Sequence, residues 1–210
     1  MRIGILGSGN VGGTLGRRWA RNGHTVVFSS RTPDSREMKG LVQETGPTAR
    51  AATVAETAHE SEAVLLATPW PATRDAVAAA GDLSGKVLID ATNPLLPRLD
   101  GLEVGTNTSG GEQVAAWARG TRVVKAFNTV GFNIMANPQF DGAAALLFYC
   151  GDDPAAKQAV HGLAKELGFD PSDAGPLTQA RLLEPFGLLW ISLAFTPGHG
   201  REFAFQLLTR

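Results

Sequence analysis

The chain has 210 residues, of which 43% are hydrophobic, and a formal net charge of −1 at pH 7. A chain of this length can bury roughly 70% of the surface that it exposes when unfolded, so we expect one large domain or a domain with a small appendage. The near-neutral charge argues against the clustered Lys and Arg of a nucleic-acid-binding or membrane-binding face. We therefore expect neither nucleic acid nor membrane as a partner.

The single cysteine, Cys150, excludes an internal disulfide and a cysteine-rich metal site. Such cysteine usage is typical of a reducing compartment. No apolar run reaches the roughly 18 residues of a membrane span, and residues 1–12 indicate a strand and a turn rather than a signal peptide. We expect a cytoplasmic protein.

The first thirty-one residues predict a strand, a glycine turn, a helix and a second strand. Residues 2–6 form a short apolar run, which is typical of a buried parallel strand. The helix is predicted from Val11 to about Asn22, where Gly23 stops it. Residues 24–29 are β-branched and aromatic, so they predict the second strand.

The turn between the first strand and the helix has the spacing Gly-x-Gly-x-x-Gly. In a dinucleotide site the first glycine permits the turn, the second lets a pyrophosphate approach the backbone, and the third lets helix and strand pack closely. A purely structural glycine turn is the alternative, but the position between a strand and a helix favours binding. The predicted cofactor contacts here are Gly7, Ser8, Gly9, Asn10 and Val11.

The end of the second strand indicates which dinucleotide binds. An NAD site usually has Asp or Glu there, whereas an Arg accommodates the 2′-phosphate of NADP. This chain has Ser30 and Arg31 at that point, and no carboxylate before Asp34. We therefore predict that Ser30 and Arg31 contact NADP, with a solvated surface arginine as the alternative.

Further strands are predicted at residues 50–53, 63–68, 86–90, 122–127 and 143–150, with helices between most of them. Thr68, Pro69 and Trp70 end one of these strands, and Asn93 and Asn128 follow two others. Loops at the carboxyl ends of parallel strands line the ligand crevice, so these residues are further candidate contacts. Trp70 could instead cover the sheet edge, and Asp90 and Asn93 could satisfy the turn backbone.

The strand pattern stops at Pro171, and residues 178–208 are predicted to be wholly helical. The predicted fold is thus α/β, a Rossmann-type, mostly parallel, doubly wound sheet with a small helical C-terminal lobe. We place the NADP-binding domain at residues 1–150 and the lobe at residues 151–210.

Taken together, these motifs resemble the NADP-dependent oxidoreductases that reduce the deazaflavin coenzyme F420. The resembling segments are residues 7–12, 29–31, 69–70, 90–95, 124–129, 150–153, 173–177 and 180–184. The chain is also similar to the cytosolic reductase part of the six-transmembrane metalloreductases. The resemblance implies that NADP binds at the glycine turn, Ser30, Arg31, Pro69, Trp70 and Asn128, with a deazaflavin or flavin (FMN or FAD) as the second substrate. It also implies that the C-terminal lobe completes the acceptor cleft.

Hydride transfer between two bound rings needs proximity and orientation more than acid–base groups, so we predict no catalytic side chain and no metal site. The leading hypothesis is an NADPH-dependent reductase of a deazaflavin or flavin. Reduction of an imine or small carbonyl compound remains an alternative, as does an NADPH-binding redox sensor without turnover. The expected partner is a small-molecule redox acceptor, and apolar residues 188–191 and 203–205 leave a homodimer open.

Overall fold

The computed structural model describes residues 1–210 and contains ten strands and eight α-helices. The strands are β1 (Arg2–Leu6), β2 (Thr25–Ser29), β3 (Ala49–Ala52), β4 (Ala63–Leu66), β5 (Val87–Asp90), β6 (Arg122–Ala126), β7 (Gln139–Phe140), β8 (Ala143–Ala144), β9 (Leu146–Gly151) and β10 (Asp170–Asp173). The helices are α1 (Asn10–Arg21), α2 (Arg36–Thr45), α3 (Val54–Glu60), α4 (Trp70–Ala80), α5 (Gly110–Trp117), α6 (Phe132–Ala136), α7 (Pro154–Lys165) and α8 (Ala180–Phe195).

Eight of the strands form one sheet in the order β10-β9-β6-β5-β4-β1-β2-β3. Every neighbouring pair is parallel except β6 and β9. The chain builds outward from β1 to β3 and then crosses back to place β4 on the other side of β1. The change of direction opens a crevice at the carboxyl ends of β1 and β4. The predicted Rossmann-type, mostly parallel, doubly wound sheet is confirmed.

The sheet is covered on both faces, so its central strands are buried throughout. Two hydrophobic clusters of 29 and 16 buried residues lie on the two sides. In the larger cluster, the rings of Trp19 on α1 and Phe127 meet edge to face at 5.8 Å. The near-continuous apolar runs that predicted the strands are explained by this two-sided burial.

The C-terminal segment differs from its prediction. Helix α8 ends at Phe195, and residues 196–210 contain no helix, so the predicted helix over 178–208 is wrong in its last part. Pro197 and two glycines with positive φ, Gly198 at 88° and Gly200 at 68°, prevent the helix from continuing. The tail instead runs back to the sheet, where Phe205 accepts a hydrogen bond from the Leu146 N–H.

A strand that contains Pro171 was also not predicted from the sequence. Residues Asp170–Asp173 form β10, which pairs in parallel with β9 at the edge of the sheet. The segment is polar because it is an edge strand, and an edge strand tolerates a proline. The predicted division at residue 150 falls next to the end of β9, and β10 after it belongs to the same sheet.

None of the helices combines the length and the apolar composition that crossing a membrane requires.

Candidate functional site

Three clefts adjoin one another along the carboxyl edge of the sheet. The Arg31 cleft, of about 520 Å³, is lined by Ser30, Arg31 and the glycine turn. The Trp70 cleft, of about 570 Å³, shares Gly7 and Thr68 with it. The Trp190 cleft, of about 470 Å³, shares further residues with the Trp70 cleft, so the three form one continuous groove.

All the predicted cofactor contacts line this groove, although they come from five separate stretches of the chain. They are Gly7, Ser8, Gly9, Asn10, Val11, Ser30, Arg31, Thr68, Pro69, Trp70, Asn93 and Asn128. The parallel sheet brings them together because each follows the carboxyl end of a strand.

The glycines of the turn occupy three different environments. Gly7 has φ of +99°, and a Cβ there would lie 2.6 Å from the Ala67 carbonyl oxygen. A Cβ on Gly12 would lie 2.0 Å from the Gly7 carbonyl oxygen, so helix and strand pack too closely for any side chain. A Cβ on Gly9 would meet no atom within 4 Å. The fold therefore requires glycine at positions 7 and 12, whereas Gly9 faces open space in the groove.

The N-terminus of α1 borders this open space and has no partner within the protein. No side chain caps it, and its first turn contains no acidic residue. Helices α2, α3, α5 and α7 are capped by the side chain of a Ser, Thr or Asp, whereas α4, α6 and α8, like α1, have no side-chain cap. The free N–H groups and the positive end of the α1 dipole thus suit a phosphate group.

The Arg31 cleft presents a cation where an adenosine ribose would lie. Arg31 is exposed and forms no ion pair with a carboxylate of the chain. The Ser30 hydroxyl oxygen accepts a hydrogen bond from the Thr32 N–H at 3.0 Å and can still donate its own hydrogen. Together they fit the extra phosphate of NADP.

Trp70 is mostly part of the core. It is 8% exposed, and its ring lies 5.5 Å from that of Trp117 on α5. It also lines the groove together with Thr68, whose hydroxyl bonds that of Thr73 at 3.0 Å. The structure thus gives Trp70 the sheet-covering position as well as a place on the cleft wall.

Asn93 and Asn128 join the ends of β5 and β6. The Asn93 amide donates to the Asn128 carbonyl oxygen at 2.8 Å, and the Asn128 amide donates to Asn93 Oδ1 at 3.1 Å and to the Leu183 carbonyl oxygen at 3.0 Å. The side-chain oxygen of Asn128 is buried without a hydrogen-bond partner. Asn128 is one of the residues that line the Trp190 cleft, and its side-chain oxygen is an acceptor that the chain leaves unsatisfied.

Below the groove lies a buried ion cluster that sequence reasoning missed. The Lys125 ammonium lies 2.9 Å from Asp90 Oδ2 and 2.8 Å from Glu184 Oε1, and the three side chains are 0% to 1% exposed. Burial alone would lower the pKa of Lys125, but the two carboxylates outweigh it and raise the pKa. Asp90 also accepts hydrogen bonds from Thr92, so it serves the turn and the cluster.

Glu184 extends this cluster to the C-terminal helix. Its two carboxylate oxygens accept hydrogen bonds from the Gly110 and Gly111 N–H groups at 2.9 Å each. Arg181, one turn earlier on α8, forms a two-bond pair with Glu112 and holds the pKa of that carboxyl below its ordinary value. Helix α8 is thereby fastened to the N-terminus of α5. The signal in the sequence that could have revealed the buried ion cluster is Lys125, a lysine inside the apolar run of β6.

The lone thiol is not a reactive group. Cys150 is fully buried, and burial raises its pKa to about 12. It therefore remains protonated at neutral pH and belongs to the core.

The groove over the uncapped helix, at the change of strand order, defines a Rossmann-type dinucleotide-binding protein. Residues 2–94 match the family described as NADP oxidoreductase, coenzyme F420-dependent. A crystal structure of a candidate F420-dependent NADP reductase from Arthrobacter sp. FB24 superposes with a TM-score of 0.89 at 32% identity, and 99% of each chain is covered. The chain belongs to this family of NADP-dependent oxidoreductases.

Two other relatives extend the comparison. Metalloreductase STEAP3 of Rattus norvegicus is 32% identical over 89% of this chain and 36% of STEAP3, so the chain spans about a third of the length of the curated relatives it matches. A reductive aminase from Aspergillus terreus in complex with NADPH and ethyl levulinate is 21% identical, with a TM-score of 0.68 over 92% of this chain and 62% of that one. The second likeness shows a common fold alone.

Proposed function

We propose that the chain transfers a hydride between NADP(H) and a deazaflavin or flavin acceptor whose ring enters the Trp190 cleft. The observation that carries the proposal is the continuity of the groove. It runs from a free arginine, past an uncapped helix, into a mostly apolar cleft under α8.

The cofactor half of the groove contains the groups that a phosphorylated dinucleotide needs. We assign the 2′-phosphate to Ser30 and Arg31, and the pyrophosphate to Gly9 and the N-terminus of α1. When bound, NADPH supplies a hydride from its reduced nicotinamide ring.

The acceptor half suits a planar apolar ring. Of the seventeen residues that line the Trp190 cleft, twelve are hydrophobic, and Arg201 is the only ionisable one. Apolar walls exclude water, and two rings held face to face at about 3–3.5 Å need no acid–base group for hydride transfer. Hydride addition to a flavin or deazaflavin leaves a ring-delocalised anion that can take its proton from water afterwards. Hydride addition to a neutral imine or a carbonyl group leaves a strongly basic anion that needs a proton donor as it forms, and an arginine does not deliver a proton at neutral pH. The lining therefore favours a flavin-type acceptor.

The cofactor assignment is tested with Arg31→Ala. We expect NADPH binding to weaken by about 1.5–3 kcal/mol, or roughly 10- to 100-fold in Kd, because a hydrogen-bonded charge is lost, while NADH binding changes little. Arg74→Ala, which removes an exposed arginine of α4 outside the groove, is the matched control. Equal losses for NADPH and NADH would show that Arg31 does not read the 2′-phosphate.

The acceptor assignment is tested by NADPH oxidation with F420, FMN, FAD and riboflavin in turn. With stereospecifically deuterated NADPH, direct transfer places the deuterium on a carbon of reduced F420, where it is retained. On FMN, FAD or riboflavin the deuterium goes to a nitrogen and exchanges with water, so for these acceptors the readout is a slower oxidation of the deuterated NADPH. Tight NADPH binding without oxidation by any of these compounds would contradict a reductase and favour the redox sensor.

A further inference from the structure

Arg201 lies where the Trp190 cleft opens to solvent, and its guanidinium carbon is 4.8 Å from the centre of the Phe195 ring. It is the only charged side chain in the lining, and it forms no ion pair with any carboxylate of the chain. Within the chain this cation in a mostly apolar cleft thus contacts an aromatic ring but no carboxylate.

The backbone around Arg201 is held in place. The Asn133 amide donates to the Arg201 carbonyl oxygen at 2.6 Å and to Glu202 Oε1 at 2.9 Å. The Trp190 indole N–H donates to the Phe203 carbonyl oxygen at 3.1 Å, and their rings stack at 5.1 Å. The carboxylate of the neighbouring Glu202 is thus directed to α6, and these hydrogen bonds fix the backbone from which the Arg201 side chain extends.

The chemistry of this arrangement indicates its ligand. A guanidinium lying over an aromatic ring keeps its N–H edge free, and that edge matches the oxygens of a phosphate or carboxylate. The apolar interior of the cleft takes a planar ring. The combined shape is complementary to a ring system that carries an anionic group on its side chain.

We propose that Arg201 is a specificity-determining residue that selects redox acceptors carrying a phosphate or carboxylate beside the reducible ring. The inference rests on the proposed function, since it concerns the second substrate of the same reaction. A competing anion is available nearby, because Asn10 and Val11 line the same cleft and adjoin the site assigned to the NADP pyrophosphate. The test must therefore separate the acceptor from the cofactor.

FMN and riboflavin provide the comparison, because they differ only in a phosphate. We would measure kcat/KM for each at saturating NADPH, and the Kd of each for the NADP⁺-loaded protein from flavin fluorescence. In the wild type, FMN should exceed riboflavin in both quantities. In Arg201→Ala that preference should fall by about fivefold or more, Arg201→Lys should keep part of it, and added salt should reduce it. Arg119→Ala, which removes an exposed arginine outside the groove, should keep the preference.

An unchanged preference in Arg201→Ala overturns the inference. So does a weaker NADPH affinity in that variant with the flavin preference intact, because Arg201 would then serve the cofactor. If the wild type fails to oxidise NADPH with every one of the acceptors F420, FMN, FAD and riboflavin, the proposed function is wrong. The fluorescence measurement then decides the role of Arg201 separately, since a phosphate preference that depends on Arg201 supports it and its absence rejects it.

Discussion

Replacing Lys125 with methionine removes the only cation between two buried carboxylates. The ammonium contacts Asp90 and Glu184 and also donates to the Thr92 carbonyl oxygen at 2.7 Å. Methionine is of similar length and fills the same space, so the change isolates the charge. Two carboxylates and a carbonyl oxygen are then left facing one another in the protein interior.

The expected loss in the free energy of unfolding depends on the hydrogen bonds that the two carboxylates keep in the variant. Removing one partner of a buried ion pair costs about 3–5 kcal/mol. Asp90 keeps its hydrogen bonds from Thr92, and Glu184 keeps those from Gly110 and Gly111, so we expect this range rather than twice as much. For a chain of this size each kcal/mol lowers Tm by roughly 2–4 °C, which gives a fall of about 10 °C.

The loss has a defined pH dependence. The pKa of Lys125 is raised above its ordinary value of 10.5, so its contribution is complete below that pH and disappears as the pH rises through the raised pKa. The difference in the free energy of unfolding between wild type and Lys125→Met should therefore be constant from pH 7 to 9. It should narrow above about pH 10.5.

Urea unfolding followed by circular dichroism measures this difference. Lys157→Met is the matched control, because Lys157 pairs with Asp173 at a similar 2.8 Å but in a partly exposed position. We expect the control to lose about 1 kcal/mol or less. If Lys125→Met were no less stable than the control, the assignment of a strong buried cluster would be wrong.

Three further predictions concern glycines and the thiol. Gly9→Ala should keep the wild-type Tm, because its methyl group meets no atom within 4 Å, yet weaken NADPH binding about tenfold by filling the phosphate site, as titration calorimetry would show. Gly12→Ala should lower stability by about 2–3 kcal/mol in urea, because its methyl would lie 2.0 Å from a carbonyl oxygen. Cys150, with its pKa raised to about 12, should resist iodoacetamide at pH 8 until urea unfolds the chain, as mass spectrometry would detect. Loss of cofactor binding with Gly12→Ala at full stability, or rapid native alkylation, would contradict these assignments.

The first crossover could be predicted because each of its signals is local. A buried parallel strand shows as a run of apolar residues, and the glycine spacing states where the backbone must turn and approach closely. The capping box at the start of α3 is a local signal of the same kind, because Thr53 and Glu56, three residues apart, bond each other's backbone N–H groups. The polar residues of the groove follow once each strand end is known.

The ion cluster could not be predicted in the same way, because its members come from three distant parts of the chain. Asp90 meets Lys125 through the pairing of β5 with β6, and Glu184 reaches them only after α8 has docked. Sequence patterns assign charged residues to the surface, so they predict an exposed Glu184, whereas its side chain is buried. The helix predicted over residues 178–208 was wrong in its last part for a related reason. Phe203 and Phe205 give an apolar pattern, but they belong to an irregular segment after the helix and pack against Trp190 and Phe186.

The position of α8 links these observations to specificity. A Cβ on Gly187 would lie 2.6 Å from the Asn128 carbonyl oxygen, and one on Gly131 would lie 2.2 Å from the Trp190 ring, so α8 reaches the sheet edge only through these two glycines. The family match covers residues 2–94, which include the whole Arg31 cleft, whereas most of the Trp190 cleft lies after residue 94. The family model therefore describes mainly the cofactor half of the groove. We therefore expect substitutions along α8 and the tail to change acceptor preference more than NADP affinity, and residues such as Arg201 are the ones on which acceptor specificity is tested.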